Sequence, residues 1–209
     1  MTPPRTLAET PSQTAGPYVH IGLAPEAAGF SVFETALGQP IAGPEVPGER
    51  IRVEGAVFDA AGAPMRDVLI EVWQADAEGI YPHPAEPRHA AAASGFRGWG
   101  RVVPDFDTGG WAFDTIRPGP VPDPVRSLDG RPMAPHISFL ILARGINLGL
   151  QPRMYFADAD NTADPVLAAI DPPARRETLI APRTERDGTP VYRFDIRLQG
   201  ERETVFFDF

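Results

Sequence analysis

The sequence contains no cysteine and no lysine. Without thiols there is no disulfide framework, no thiolate metal site and no cysteine nucleophile, and a reducing, cytoplasmic compartment is the expectation. Without lysine there is no Schiff-base chemistry on this chain, and all 19 basic residues are arginine. No apolar run approaches the roughly 18 residues that a membrane-spanning helix needs. The opening MTPPRTLAETPSQTAGPY has no apolar stretch of the kind a secretory signal carries. A formal charge of −9 disfavours nucleic acid and anionic membranes as partners.

What the sequence does have is turn formers: 25 prolines and 20 glycines in 209 residues, beside 43% apolar residues. With little helical periodicity, that mixture predicts many short strands joined by turns. Residues 1–48 are punctuated by prolines and cannot form a core alone. Yet Leu7, Tyr18, Val19, Ile21, Leu23, Phe30, Val32 and Phe33 are too apolar for a free tail, so an arm laid on another surface is expected. Strands are expected at 51–59, 68–76 and 204–209, and as a hairpin of 99–103 with 110–116 around the turn 105–109. In 137–144, Ile137, Phe139, Ile141 and Ala143 face one way, and His136, Ser138, Leu140, Leu142 and Arg144 the other. A neighbouring strand is expected at 153–157. Residues 191–198 alternate as a half-buried antiparallel strand should. Short helices are expected at 164–170, opening on Asp164-Pro165, and at 173–180. The predicted fold is all-β: one domain over 1–209, a β-sandwich of mostly antiparallel strands with an N-terminal arm, long loops and one or two short helices.

Residue chemistry alone gives no self-contained catalytic constellation. The histidines are His20, His83, His89 and His136, with no HxH, HExxH or HxxxH pair among them. His83 and His89, set among alanines and prolines, read as solvated loop residues. No GxSxG elbow marks a nucleophilic serine, and no glycine-rich phosphate loop is present. A non-enzymatic β-sandwich binding module therefore remains open.

Five stretches are similar to the intradiol ring-cleavage dioxygenases, and among them to the alpha chains of the two-chain, protocatechuate-cleaving enzymes. They are ETPSQTAGPY (9–18), EVWQADAEGIY (71–81), GGWAFDTIRPGP (ending at Pro120), APHISFLILARGIN (134–147) and YRFDIRLQGERETVFFDF (192–209). Together they span nearly the whole chain. The resemblance implies an Fe(III) enzyme whose homologous beta chain holds the metal with two tyrosinates and two histidines. Those histidines form an H-x-H pair, and residues two apart on a strand project from one face toward one metal. Here the matching stretch reads His136-Ile137-Ser138, so one imidazole remains. The two tyrosine positions fall at Val121 and, by residue count, near Arg88. Tyr18, Tyr81, Tyr155 and Tyr192 do not sit there, and no tyrosine lies between residues 82 and 135. The resemblance thus implies no metal on this chain, and His136 is either a hydrogen-bonded vestige or a weak residual metal site.

What the resemblance implies instead is a contribution in trans. Gly16 and Pro17, with Thr14 nearby, would form a wall of the partner's substrate pocket. Arg144, in LARGIN, would be a catalytic and substrate-binding residue at that pocket, where its alternative is a surface salt bridge. A guanidinium suits the carboxylate and phenolate oxygens of protocatechuate because its fork is fixed and its charge permanent. The implied partners are the beta chain, protocatechuate and O2. A weaker alternative is a self-sufficient dioxygenase with unusual ligands.

Overall fold

In the computed structural model, residues 11–122 and 132–208 are described. Among them the chain forms ten strands in two five-stranded sheets. The strands are β1 (Arg50–Phe58), β2 (Leu69–Gln74), β3 (Trp99–Val102), β4 (Gly110–Ile116), β5 (His136–Leu142), β6 (Arg153–Phe156), β7 (Ile180–Ala181), β8 (Arg183–Arg186), β9 (Thr189–Arg193) and β10 (Ile196–Arg197). Two short α-helices, α1 (Val19–Leu23) and α2 (Pro165–Ala168), lie outside the sheets. The first sheet carries β4 on one side of β1 and β10, β9 and β8 on the other; the second runs β3-β2-β5-β6-β7.

Alternation explains which residues the sheets enclose. Val53 and Val57 of β1, Ile70 and Val72 of β2, Phe113 of β4 and Ile137, Phe139 and Ile141 of β5 are all buried in one apolar cluster. Phe139 sits 5.2 Å from Phe194 and 5.7 Å from Trp111, ring centroid to ring centroid, so aromatics from both sheets interlock at the centre. A buried polar stitch joins the layers. Gln74 donates to the Ile116 carbonyl at 2.9 Å and accepts from the Thr115 hydroxyl at 2.9 Å. Asp164 caps α2 as expected, accepting from the Val166 and Leu167 amides, both at 2.9 Å. The segment Pro173–Leu179 is a 3-10 helix rather than an α-helix.

Three strand expectations need correction. Strands β3 and β4 do not pair as a hairpin: β3 pairs with β2 and β4 with β1, so the chain crosses between sheets there. The turn itself is tight, with Asp105 Oδ1 accepting from the Asp107 and Thr108 amides, but such a turn does not dictate which strand each arm then joins. Residues 191–198 are two strands: β9 pairs antiparallel with β8, as expected, but β9 and β10 both run parallel to β1. The interruption sits where β1 closes in: the Asp195 carboxylate takes the Ala56 amide at 3.1 Å, and a side chain at Gly55 would overlap the Phe194 carbonyl. The expected C-terminal strand is only an extended run with one bridge, Phe207 to Gln151.

The arm lies on the sandwich at its later part and offers apolar surface at its earlier part. Ile41 is fully buried in the main core, and Arg50 donates to the Gly43, Pro44 and Val46 carbonyls. Farther out, Arg101 holds the Leu23 carbonyl at 2.9 Å. Tyr18, Phe30, Val32 and Phe33 are exposed, Tyr18 by 73%. Among the described residues no helix is long and apolar enough to cross a membrane.

Candidate active site

The outer face of the second sheet carries His136 and Ser138, the residues that the resemblance sets at the family's metal strand. Alternation along β5 turns His136, Ser138 and Leu140 away from the core side chains Ile137 and Phe139. Cross-strand register then sets Trp99, Trp73, Ser138 and Arg153 in one row across four strands, with His136 opposite Tyr155 in the next. Over this row opens a cleft of about 450 Å³, lined among others by Trp73, Trp99, Ser138, Gln151 and Arg153.

A glycine-dependent turn brings Tyr81 onto this face. Asp76 Oδ1 accepts from the Glu78 and Ile80 amides at 3.0 and 2.9 Å, folding 76–80 into a tight loop. Gly79 has φ +71°, and a side chain there would overlap the Pro120 carbonyl oxygen; one at Gly119 would overlap the Ala77 carbonyl. The EVWQADAEG and RPGP segments thus dock backbone to backbone. Tyr81 stacks on Trp73 at 5.5 Å and places its hydroxyl 3.2 Å from His136 Nε2.

His136 is 1% exposed, and both its ring nitrogens are occupied. Nδ1 lies 2.7 Å from the Ala134 carbonyl, which can only accept, so Nδ1 carries the proton and Nε2 accepts from Tyr81. Burial, reinforced by the nearby charge of Arg153, pushes the imidazole down to about 3. Burial pushes the Tyr81 and Tyr155 phenols up, with Arg153 opposing in both cases. Asp164 closes the cluster, accepting from the Tyr155 hydroxyl at 3.1 Å and the Ala134 amide at 2.8 Å.

The other positions that the resemblance assigns to the ligand set hold no donor suited to a metal. Val121 is buried and paired through its backbone with Met133. Arg88 is tied into its own loop, bonding Glu86 at 2.9 Å and the Gly79 carbonyl at 2.8 Å. Ser138 offers a neutral hydroxyl. Among the described residues no three His, Cys, Asp or Glu side chains gather to hold a metal. One engaged imidazole, a serine, a valine and an arginine do not fit ferric iron, which takes hard anionic donors. His83 and His89 are exposed in the loop between β2 and β3.

The residues expected to act in trans lie at the opposite end of β5. The strand ends at Leu142, so Arg144 belongs to the following turn rather than to the strand. Six residues separate it from Ser138, about 20 Å at a strand's rise. Its side chain is 65% exposed and pairs with Asp67 at 2.9 Å. The arm joins it here: Gly145 donates its amide to Thr14 Oγ1 at 2.7 Å, and Ser12 donates to the Asn147 carbonyl at 2.9 Å. Gly16 and Pro17 are exposed next to these contacts in sequence. The structure therefore gathers Thr14 and Arg144 at one edge, and His136, Ser138 and Val121 elsewhere. Sequence reasoning missed Tyr81, Arg153 and Tyr155 as members of the altered metal face. The signal for Arg153 was its strand neighbourhood to 136–138, readable only once register is known.

The chain is a two-layer β-sandwich, and a family model described as a dioxygenase matches residues 31–200. The chain belongs to the intradiol ring-cleavage dioxygenase family, whose members use non-haem Fe(III). It is 50% identical over 209 residues to the protocatechuate 3,4-dioxygenase alpha chain of Pseudomonas putida, covering 99% of this chain and 100% of that one. It is 37% identical over 162 residues to the protocatechuate 3,4-dioxygenase beta chain of Burkholderia cepacia, covering 75% and 67%. Its fold is similar to that of catechol 1,2-dioxygenase from Acinetobacter sp. ADP1, solved with bound mercury, with TM-score 0.60 and 20% identity over 79% of this chain and 61% of that one.

Proposed function

We infer that this chain is the alpha subunit of a protocatechuate 3,4-dioxygenase and that it works with a beta chain. The complex inserts both atoms of O2 into protocatechuate, opening the ring between its hydroxyl-bearing carbons to give 3-carboxy-cis,cis-muconate, a step of aromatic catabolism through beta-ketoadipate. The observation that carries this reading is the full-length similarity to an alpha chain, combined with a metal face whose donors are gone. Ferric iron, held by the beta chain, would supply Lewis acidity that favours the phenolate form of the catecholic hydroxyls. This chain supplies the surroundings. Arg144, exposed at the end of β5, offers charged donors to an anionic substrate in a chain that is otherwise acidic. Thr14, Gly16 and Pro17 form a wall beside it that displaces water from the partner's pocket. The exposed apolar residues of the arm supply surface for the beta chain to cover. A cytoplasmic location belongs to the same reading.

Co-expression with the beta chain tests it. A stable heteromer with one iron per alpha–beta pair and protocatechuate cleavage is the expected result. An alpha chain that binds iron stoichiometrically by itself, or a beta chain that is fully active without it, would overturn the reading.

A further inference from the structure

The charged groups that line the cleft over the second sheet are engaged inside the chain. Glu71 holds Arg101 at 2.7 Å. Arg153 donates to Met133 Sδ at 3.5 Å and to the Tyr155 hydroxyl, which in turn donates to the buried Asp164 carboxylate at 3.1 Å. Each positive charge thus has a carboxylate in its own cluster. Two neutral polar groups remain. Among the described residues the Ser138 hydroxyl and the Gln151 carboxamide, both half-buried on the cleft wall, make no side-chain hydrogen bond. Most of the remaining wall is aromatic or apolar, with Trp73, Trp99 and Leu140 its largest members. Strand register sets the two indoles side by side, since Trp73 of β2 is the direct partner of Trp99 of β3. Neither ring is loose: Trp73 stacks on Tyr81 at 5.5 Å, and the Arg101 guanidinium lies 5.2 Å from the Trp99 ring. Flat walls that are already fixed lose little freedom when a flat molecule lies against them.

We propose that this cleft binds an uncharged, single-ring aromatic molecule whose substituent both donates and accepts hydrogen bonds, as a carboxamide does. The volume of about 450 Å³ has room for one ring and its substituent. The ring lies against the indoles and Leu140. The substituent meets Gln151 and Ser138, and because a carboxamide and a hydroxyl each donate and accept, both kinds of ligand group find a match. An anion of the same shape is disfavoured. Its carboxylate loses water on entry, and it meets the Glu71 carboxylate on the same wall and a guanidinium whose charge Asp164 already balances. The cleft therefore selects for the absence of charge. The proposal uses this chain's own residues and does not require the alpha-subunit reading.

The tryptophans themselves supply the readout. The chain has three, of which Trp111 is buried in the core and Trp73 and Trp99 line the cleft. In the ¹⁵N-labelled full chain, two indole N–H signals therefore report the cleft and the third serves as an internal reference. Benzamide and benzoate, alike in shape and different in charge, are the probes. Benzamide should shift the Trp73 and Trp99 signals saturably, leave that of Trp111 in place, and bind about tenfold or more tighter than benzoate. Gln151→Leu, which keeps the size and removes the polar group, should weaken benzamide about 3- to 10-fold. Ser138→Ala is the second variant, with a loss in the same direction, and a loss in either folded variant supports the assignment. Benzoate binding as tightly as benzamide would overturn the proposal, as would the lack of any saturable shift at Trp73 and Trp99. Unchanged benzamide affinity in both variants would overturn it equally.

Discussion

Thr14 Oγ1 accepts a 2.7 Å hydrogen bond from the Gly145 amide, across 131 residues of sequence. The bond joins the TAGPY stretch of the arm to the residue that follows Arg144. The Ser12 hydroxyl repeats the link at the Asn147 carbonyl. The arm and the arginine turn thus form one edge of the molecule, and a partner that meets one meets the other.

Thr14→Val removes the acceptor while keeping the shape. Because both groups are exposed, water can replace the lost bond, and the cost of about 0.5–1 kcal/mol should fall on local opening of the arm and not on global unfolding. The fold should melt at the wild-type temperature, while the Gly145 amide exchanges several-fold faster with solvent deuterium. Unchanged exchange would mean that the arm is held by other contacts.

Phe30 and Phe33 are 55% and 47% exposed. Replacing both with serine gives up the roughly half of each ring that this chain already buries, so its own stability should fall by roughly 1.5–3 kcal/mol. If the beta chain covers this surface, association should weaken by roughly tenfold or more, since burying even one large apolar side chain is worth about 1.5–3 kcal/mol. Sedimentation of the heteromer across a dilution series measures this. Wild-type association in the double variant would place the partner elsewhere.

How far the sequence could be read follows from what kind of information each element needed. The faces of β5 were legible because alternation is local: Ile137, Phe139 and Ile141 had to point one way and His136 and Ser138 the other. Helix α2 was legible from Asp164 and Pro165, whose capping chemistry is also local. The partners of β3 and β4 were not, because the Asp105 turn serves a hairpin or a crossover equally well, and the choice is made by strands far away in sequence. Residues 191–198 show the right faces but not the break, which falls where the Asp195 carboxylate captures the Ala56 amide. That His136, Ser138, Val121 and Arg88 stand at the ligand positions is what the resemblance implies, and their identities were legible without a structure. The meeting of Tyr81 with His136 and of Arg153 with Ser138 was not, because one depends on a docked glycine turn and the other on strand register.

His136 should make stability sensitive to acid. In the unfolded chain the imidazole takes up a proton near its ordinary value of 6.5, whereas in the folded chain burial, aided by Arg153, delays this to about 3. Between those values the unfolded state binds more protons, so stability falls as pH drops from about 6.5 toward 3 and is unaffected by this group above that window. The full effect is on the order of 5 kcal/mol. His136→Gln, which cannot titrate, should flatten the dependence in urea unfolding followed from pH 7 to pH 4. An equally steep loss in the variant would assign the acid sensitivity to the carboxylates instead.

Arg144 offers the sharpest test of a role in trans. Within this chain it makes an exposed ion pair with Asp67 at 2.9 Å, and exposed pairs contribute about 0–1 kcal/mol to stability. A donor to a partly desolvated substrate anion contributes more, roughly 1.5–3 kcal/mol. Arg144→Ala should therefore lower kcat/KM of the heteromer roughly 10- to 150-fold while the iron content and the ferric–tyrosinate absorption of the beta chain stay unchanged. Arg144→Lys should recover part of the loss, because an ammonium keeps the charge but not the planar fork. Asp67→Asn separates the two roles: it breaks the same ion pair and leaves the guanidinium in place. If Arg144 serves the partner's pocket, Asp67→Asn should keep kcat/KM within about twofold of wild type, a change of under about 0.5 kcal/mol. Equal losses in Asp67→Asn and Arg144→Ala would reduce Arg144 to a surface ion pair, and loss of iron in Arg144→Ala would make it a residue of assembly rather than of substrate binding.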